Sequence, residues 1–91
     1  MEKFPYIVVT FPSVHHALKL ESRAKNLNLS LKLIPVPREI SSSCGIAAKI
    51  DQDELKNTEL LMDEHGIEYD GIYLYETPNS KPIKIKSFDE D

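Results

Sequence analysis

The single cysteine of this 91-residue chain lies in the run Pro35-Val36-Pro37-Arg38-Glu39-Ile40-Ser41-Ser42-Ser43-Cys44-Gly45-Ile46-Ala47. A free thiol with a pKa near 8.5 is only about 3% ionised at pH 7, and the thiolate is the nucleophile. Backbone N–H groups of a Ser-Ser-Cys-Gly turn, the Arg38 guanidinium and a nearby helix N-terminus are each able to favour the anion. Arg38 would assist electrostatically by attracting or orienting an anion, or else form a solvated pair of charges with the adjacent Glu39. Pro37, with Pro35, locks φ and removes N–H donors, which ends sheet pairing and directs the chain out of a strand. Ser41, Ser42 and Ser43 carry hydroxyls able to tie the loop to its own backbone, and Gly45 permits a positive φ. The residues alone leave three readings of Cys44 open: a reactive thiol that transfers groups, a thiol that senses oxidants, and a small buried apolar residue.

Rival sites are weaker. Zinc would accept Cys44, His15, His16 and His65, but adjacent histidines diverge on a helix and the paired-ligand spacing is missing, so no metal is expected. No nucleotide-binding glycine loop, Ser-His-Asp arrangement or pair of catalytic carboxylates is present, and no cofactor is called for. A domain without a self-contained active site fits better than an enzyme.

The elements that would position this loop follow from the pattern. Tyr6 to Phe11 is β-branched and aromatic between two prolines and reads as a strand. Ser13 reads as the N-cap of a helix to about Leu27, with Val14, Ala17, Leu18, Leu20, Ala24 and Leu27 on its apolar side. Glu21 falls within that arc, where it either sits at the edge and reaches water or partners a basic group or the serine loop. Asn26 and Asn28 close the helix. Strands follow at Leu31 to Val36 and Ile46 to Ile50. A second helix, capped by Asp51 or Asp53, runs to His65, stops at Gly66, and buries Leu55, Thr58, Leu61, Met62 and His65. A fourth strand spans Ile67 to Tyr75, with Ile72 and Leu74 on one face and Gly71, Tyr73 and Tyr75 on the other.

This βαββαβ order predicts an α+β, ferredoxin-like sandwich: a four-stranded antiparallel sheet of order 4-1-3-2 with both helices on one face. Ile83 and Ile85, alternating with Lys84 and Lys86, add a short C-terminal edge strand guarded by its lysines. Residues 1–77 then form the domain and 78–91 an extension that is partly mobile at its acidic end. In this topology the Cys44 loop shares a pole with the start of the first helix and the end of the second, bringing Ser13, His15, His16 and His65 near the thiol. The helix N-terminus contributes about 0.3 to 1 kcal/mol towards an anion. The uncovered sheet face would expose Tyr73, Tyr75, Tyr6 and Val8, a surface suited to homodimerisation.

Composition bounds the rest. With 41% hydrophobic and 29% charged residues the chain reads as an ordinary folded domain with one modest core. A net charge of −4 argues against nucleic acid as partner. The apolar run near the N-terminus is short and broken by Pro5 and Pro12, which excludes a membrane-spanning segment there, and one cysteine cannot form an internal disulfide; the cytoplasm is the expected compartment.

The thirteen-residue run from Pro35 to Ala47, preceded by Ala17-Leu18-Lys19-Leu20-Glu21, closely resembles the selenium/sulfur carrier protein-like family, formerly a domain of unknown function. The likeness spans nearly the whole chain. Asn26, Asn28 and Lys49 depart from the family pattern, and none of them touches the cysteine loop. The resemblance implies that Cys44 carries sulfur or selenium as a persulfide or selenopersulfide, received from a donor protein and passed to an acceptor. The contrasting class is a small non-catalytic interaction or regulatory domain whose tyrosine-bearing sheet face binds a partner and whose cysteine is incidental.

Overall fold

A computed structural model describes residues 3–42 and 44–88. Five strands and two helices are built in the order β1 (Tyr6–Thr10), α1 (Val14–Asn26), β2 (Leu31–Pro35), β3 (Ile46–Asp51), α2 (Leu55–Glu64), β4 (Gly71–Tyr75) and β5 (Ile83–Ser87), with a 3₁₀ turn at Gln52–Glu54 leading into α2. All pairings are antiparallel and the sheet order is β2-β3-β1-β4-β5.

The α+β class with two helices and an antiparallel sheet agrees with the pattern of the sequence. The sheet has five strands rather than four, in the order β2-β3-β1-β4-β5, and the fifth is the short C-terminal edge strand expected at Ile83 and Ile85. The cause is local: the alternating Ile-Lys segment after the Thr77 to Ser80 turn pairs along β4 and extends the sheet by one strand beyond it. The acidic end of the chain, expected to be mobile, lies outside the described residues, as does Ser43.

Both helices end as their sequences direct. Asn28 takes a left-handed conformation with φ 57°, and the Leu29 N–H reaches back to the Ala24 carbonyl (3.0 Å). Gly66 does the same after α2 with φ 64°, while the Ile67 N–H bonds the Met62 carbonyl (2.9 Å). The N-termini differ from expectation. Ser13 occupies the cap position of α1 in extended geometry, but its side chain makes no capping bond. Neither Asp51 nor Asp53 caps α2, because the 3₁₀ turn intervenes and Glu54 precedes the first helical residue.

Strand alternation divides the interior into two cores. On the helix side, Ile7, Val9, Ala48, Ile50 and Ile72 pack against Ala17, Leu20, Ala24, Leu61 and Met62. The stripe on α1 is narrower than the sequence suggests: Val14 and Leu18 (51% exposed) lie well off the axis through Ala17, Leu20 and Ala24, and Leu27 lies past the helix end. On the opposite side Tyr6, Val8, Ile40, Ala47 and Tyr75 form a second buried cluster, flanked by Phe4, Ile34, Val36 and Tyr73. The expectation that this face would expose Tyr6, Val8 and Tyr75 is therefore corrected: Val8 is fully buried and Tyr75 is 7% exposed. No helix among the described residues covers them. The connection between β2 and β3 does, with Ile40 packed into the cluster.

No helix of the described residues is long and apolar enough to cross a membrane.

Candidate functional site: the β2–β3 connection

Pro35 pairs with Ile46 at the last step of the β2–β3 ladder, on an edge strand where the missing N–H of a proline is tolerated. One bond continues past it, from the Val36 N–H to the Gly45 carbonyl (3.1 Å), and this closes the neck of a loop. Gly45 makes the turn with φ 76°, a conformation costly for any residue with a Cβ, although open space lies where a Cβ would point. Inside the loop the Ile40 N–H donates to the Pro37 carbonyl (3.0 Å). That turn displays Arg38 and Glu39 to solvent while turning Ile40 inward.

Cys44 sits at the neck, half-buried and packed against the edge of the helix-side core. Its Sγ donates to the Ile46 carbonyl (3.1 Å), a bond that needs the thiol proton. Ser41 is exposed. The Ser42 hydroxyl oxygen is buried and finds no hydrogen-bond partner among the described residues.

The β1–β3 register explains which pole the loop occupies. Thr10, at the end of β1, pairs with Ala47 of β3, and α1 begins at Val14, so the cysteine loop and the start of α1 leave the same end of the sheet. The histidines there have work of their own. Nδ1 of His16 accepts the Glu68 backbone N–H (3.1 Å), tying the α2–β4 connection to the first turn of α1. His15 is exposed, with its ring 5.8 Å from that of His16 in an edge-on arrangement. Among the described residues no group of three or more His, Cys, Asp or Glu side chains could hold a metal ion. Glu21 lines a hollow with Lys25, Asn28 and Leu31 near the start of β2, whereas Cys44 lies beyond the other end of that strand.

Sequence reasoning missed the contacts between the loop and the sheet. The Tyr75 hydroxyl donates to Glu39 Oε1 at 3.5 Å, a long bond that fastens the connection to β4. Burial, followed by the neighbouring Glu39 carboxylate, pushes the Tyr75 hydroxyl well above its ordinary value, so it remains a donor. Tyr6 and Tyr75 stack with ring centres 5.0 Å apart, and the Lys49 ammonium stands 4.4 Å from the centre of the Tyr6 ring. The available signal was Ile40, an apolar β-branched residue among charged and hydroxyl neighbours, which in a connection marks an inward anchor.

The family model described as "Putative Se/S carrier protein-like" matches residues 6–74, from the start of β1 into β4 and through the whole cysteine loop. No curated protein and no solved structure matches the chain.

Proposed function

The chain belongs to the Se/S carrier protein-like family, and from that premise we propose that it carries sulfur or selenium on Cys44 as a persulfide or selenopersulfide. The observation that carries the reading is the location of the chain's one cysteine, half-buried at the neck of a connection and next to a glycine where an added Cβ would point into open space. In the proposed step the Cys44 thiolate attacks the outer sulfur of a donor persulfide. One S–S bond forms on Cys44, the donor's S–S bond breaks, and the donor thiolate leaves with the electron pair. The acceptor reverses the step by attacking the outer sulfur on Cys44. Before attack the thiol gives up its proton and with it the bond to the Ile46 carbonyl, which frees the sulfur to turn outward. Arg38, exposed on the same loop, assists by drawing in the anionic species. Pro37 and Gly45 hold the loop's shape. Donor and acceptor proteins in the cytoplasm complete the scheme, without metal, cofactor or nucleic acid.

One experiment tests it. The protein is incubated with cysteine and a cysteine desulfurase, and its intact mass is followed. The expected result is a mass increase of one sulfur atom, removed by reductant and absent from Cys44→Ser. An unmodified wild-type chain whose thiol alkylates at the rate of a simple cysteine peptide overturns the proposal.

A second reading is favoured by a specific feature. The thiol packs against the helix-side core and donates to a carbonyl, as structural cysteines do. On that reading the chain is a non-catalytic interaction domain, and the same mass measurement reports it as an unlabelled Cys44.

A further inference from the structure

The sheet face turned away from the helices carries a groove of about 680 Å³ between two connections. Its floor is aromatic, formed by Phe4, Tyr6 and Tyr75; Pro37 and Glu39 of the cysteine loop form one wall, and the β4–β5 turn with Pro78 forms the other. The rings pack on one another, and with Tyr6 and Tyr75 only 9% and 7% exposed the half-buried Phe4 is the most accessible of the three. Phe4 and Tyr6 lie 5.0 Å apart at 48°, and Tyr6 and Tyr75 stack 5.0 Å apart within 9° of parallel. Glu39 is exposed, and its Oε1 accepts from the Tyr75 hydroxyl at 3.5 Å, which leaves the second carboxylate oxygen to accept from a ligand.

Aromatic faces beside a carboxylate complement a cation that also has an apolar or planar body. On the same row of rings the chain's own Lys49 ammonium rests over Tyr6, which is also stacked on Tyr75, so Phe4 is the ring left to an incoming cation. Guanidinium suits the groove better than ammonium, because it stacks flat on a ring while its edge donates two bonds to a carboxylate. Two proline walls would pack against the methylene stem of such a side chain. The groove is open to solvent along its length between two exposed turns, so a side chain mounted on another polypeptide can enter it. We propose that this groove docks an arginine side chain presented by a segment of a partner protein. The proposal stands apart from sulfur chemistry on Cys44.

The probe is a capped Gly-Gly-Arg-Gly-Gly peptide titrated into the full chain and followed by NMR. Ring protons of Phe4, Tyr6 and Tyr75 are expected to shift together. The citrulline counterpart, which keeps the shape without the charge, should bind about 10-fold more weakly, as should the arginine peptide to Glu39→Gln. Cys44→Ser should bind like wild type, so the outcome is read whether or not the carrier proposal holds. Unshifted rings, equal binding of the citrulline peptide, or unchanged affinity in Glu39→Gln overturns the inference. Free arginine amide binding as tightly as the peptide makes this a small-cation site and overturns it too. So do the same ring shifts produced by concentrating the protein alone, which would assign the groove to a second copy of the chain.

Discussion

Tyr75 joins the cysteine connection to the sheet through one hydroxyl, and that hydroxyl has a consequence for stability against pH. Burial first and the Glu39 carboxylate second raise its proton affinity in the folded chain. The folded state therefore keeps a proton that the unfolded chain releases at the ordinary tyrosine value of about 10. The associated stabilisation is complete below that pH and is lost as pH climbs above it. Urea midpoints measured from about pH 9 to 11 should fall less steeply for Tyr75→Phe than for the parent chain. Parallel slopes would remove Tyr75 from the account. Nothing in the residue string pairs position 39 with position 75. Cys44, Gly45 and the prolines, by contrast, announced a rigid connection by type alone, since φ constraints and missing N–H groups are properties of single residues.

Among the elements, β5 departs furthest from a four-stranded plan. It pairs with β4 through an irregularity between Ile72 and Tyr73. It is also held from the helix layer, where Lys86 Nζ donates to Glu59 Oε2 of α2 at 2.7 Å, a contact that raises the lysine's proton affinity. Beyond it the Phe88 ring meets Tyr69 edge-on at 5.2 Å. Half-exposed ion pairs of this kind contribute little, about 0 to 1 kcal/mol. Pairing along the strand and the aromatic contact add to it. Removing residues 79–91 should lower stability by at least about 1 kcal/mol, seen as a fall of roughly 4 to 8 °C in the thermal midpoint. An unchanged midpoint would show that the sheet needs only four strands. The alternation of isoleucine and lysine marked this segment as strand-forming, yet period-2 alternation carries no information about whether a partner edge is available.

Taken whole, the molecule is one sheet with a core on each face, and the two cores share their strands residue by residue: Ile7 and Val9 point one way, Tyr6 and Val8 the other. Loss of one core should therefore carry the other with it. Ile40→Ala, which empties the anchor under the cysteine connection, should cost about 2 to 5 kcal/mol, and its unfolding curves by far-UV circular dichroism and by tyrosine emission should still coincide. With no tryptophan present, and with Tyr6, Tyr73 and Tyr75 on or beside the second core, tyrosine emission reports mainly on that face. Separated transitions would mean that the faces unfold independently. Local chemistry settled much of this architecture before any contact was known: strand alternation, the left-handed residue Asn28, the Gly66 stop, and a lone cysteine in a proline-bounded loop all follow from neighbours in sequence. What covers the second face was decided only in three dimensions. Alternation says which side chains share a surface, but the cover comes from Ile40 and Glu39, about 30 residues or more from the Tyr6 and Tyr75 rings they meet, and a contact of that span is chosen by packing and burial rather than by pattern.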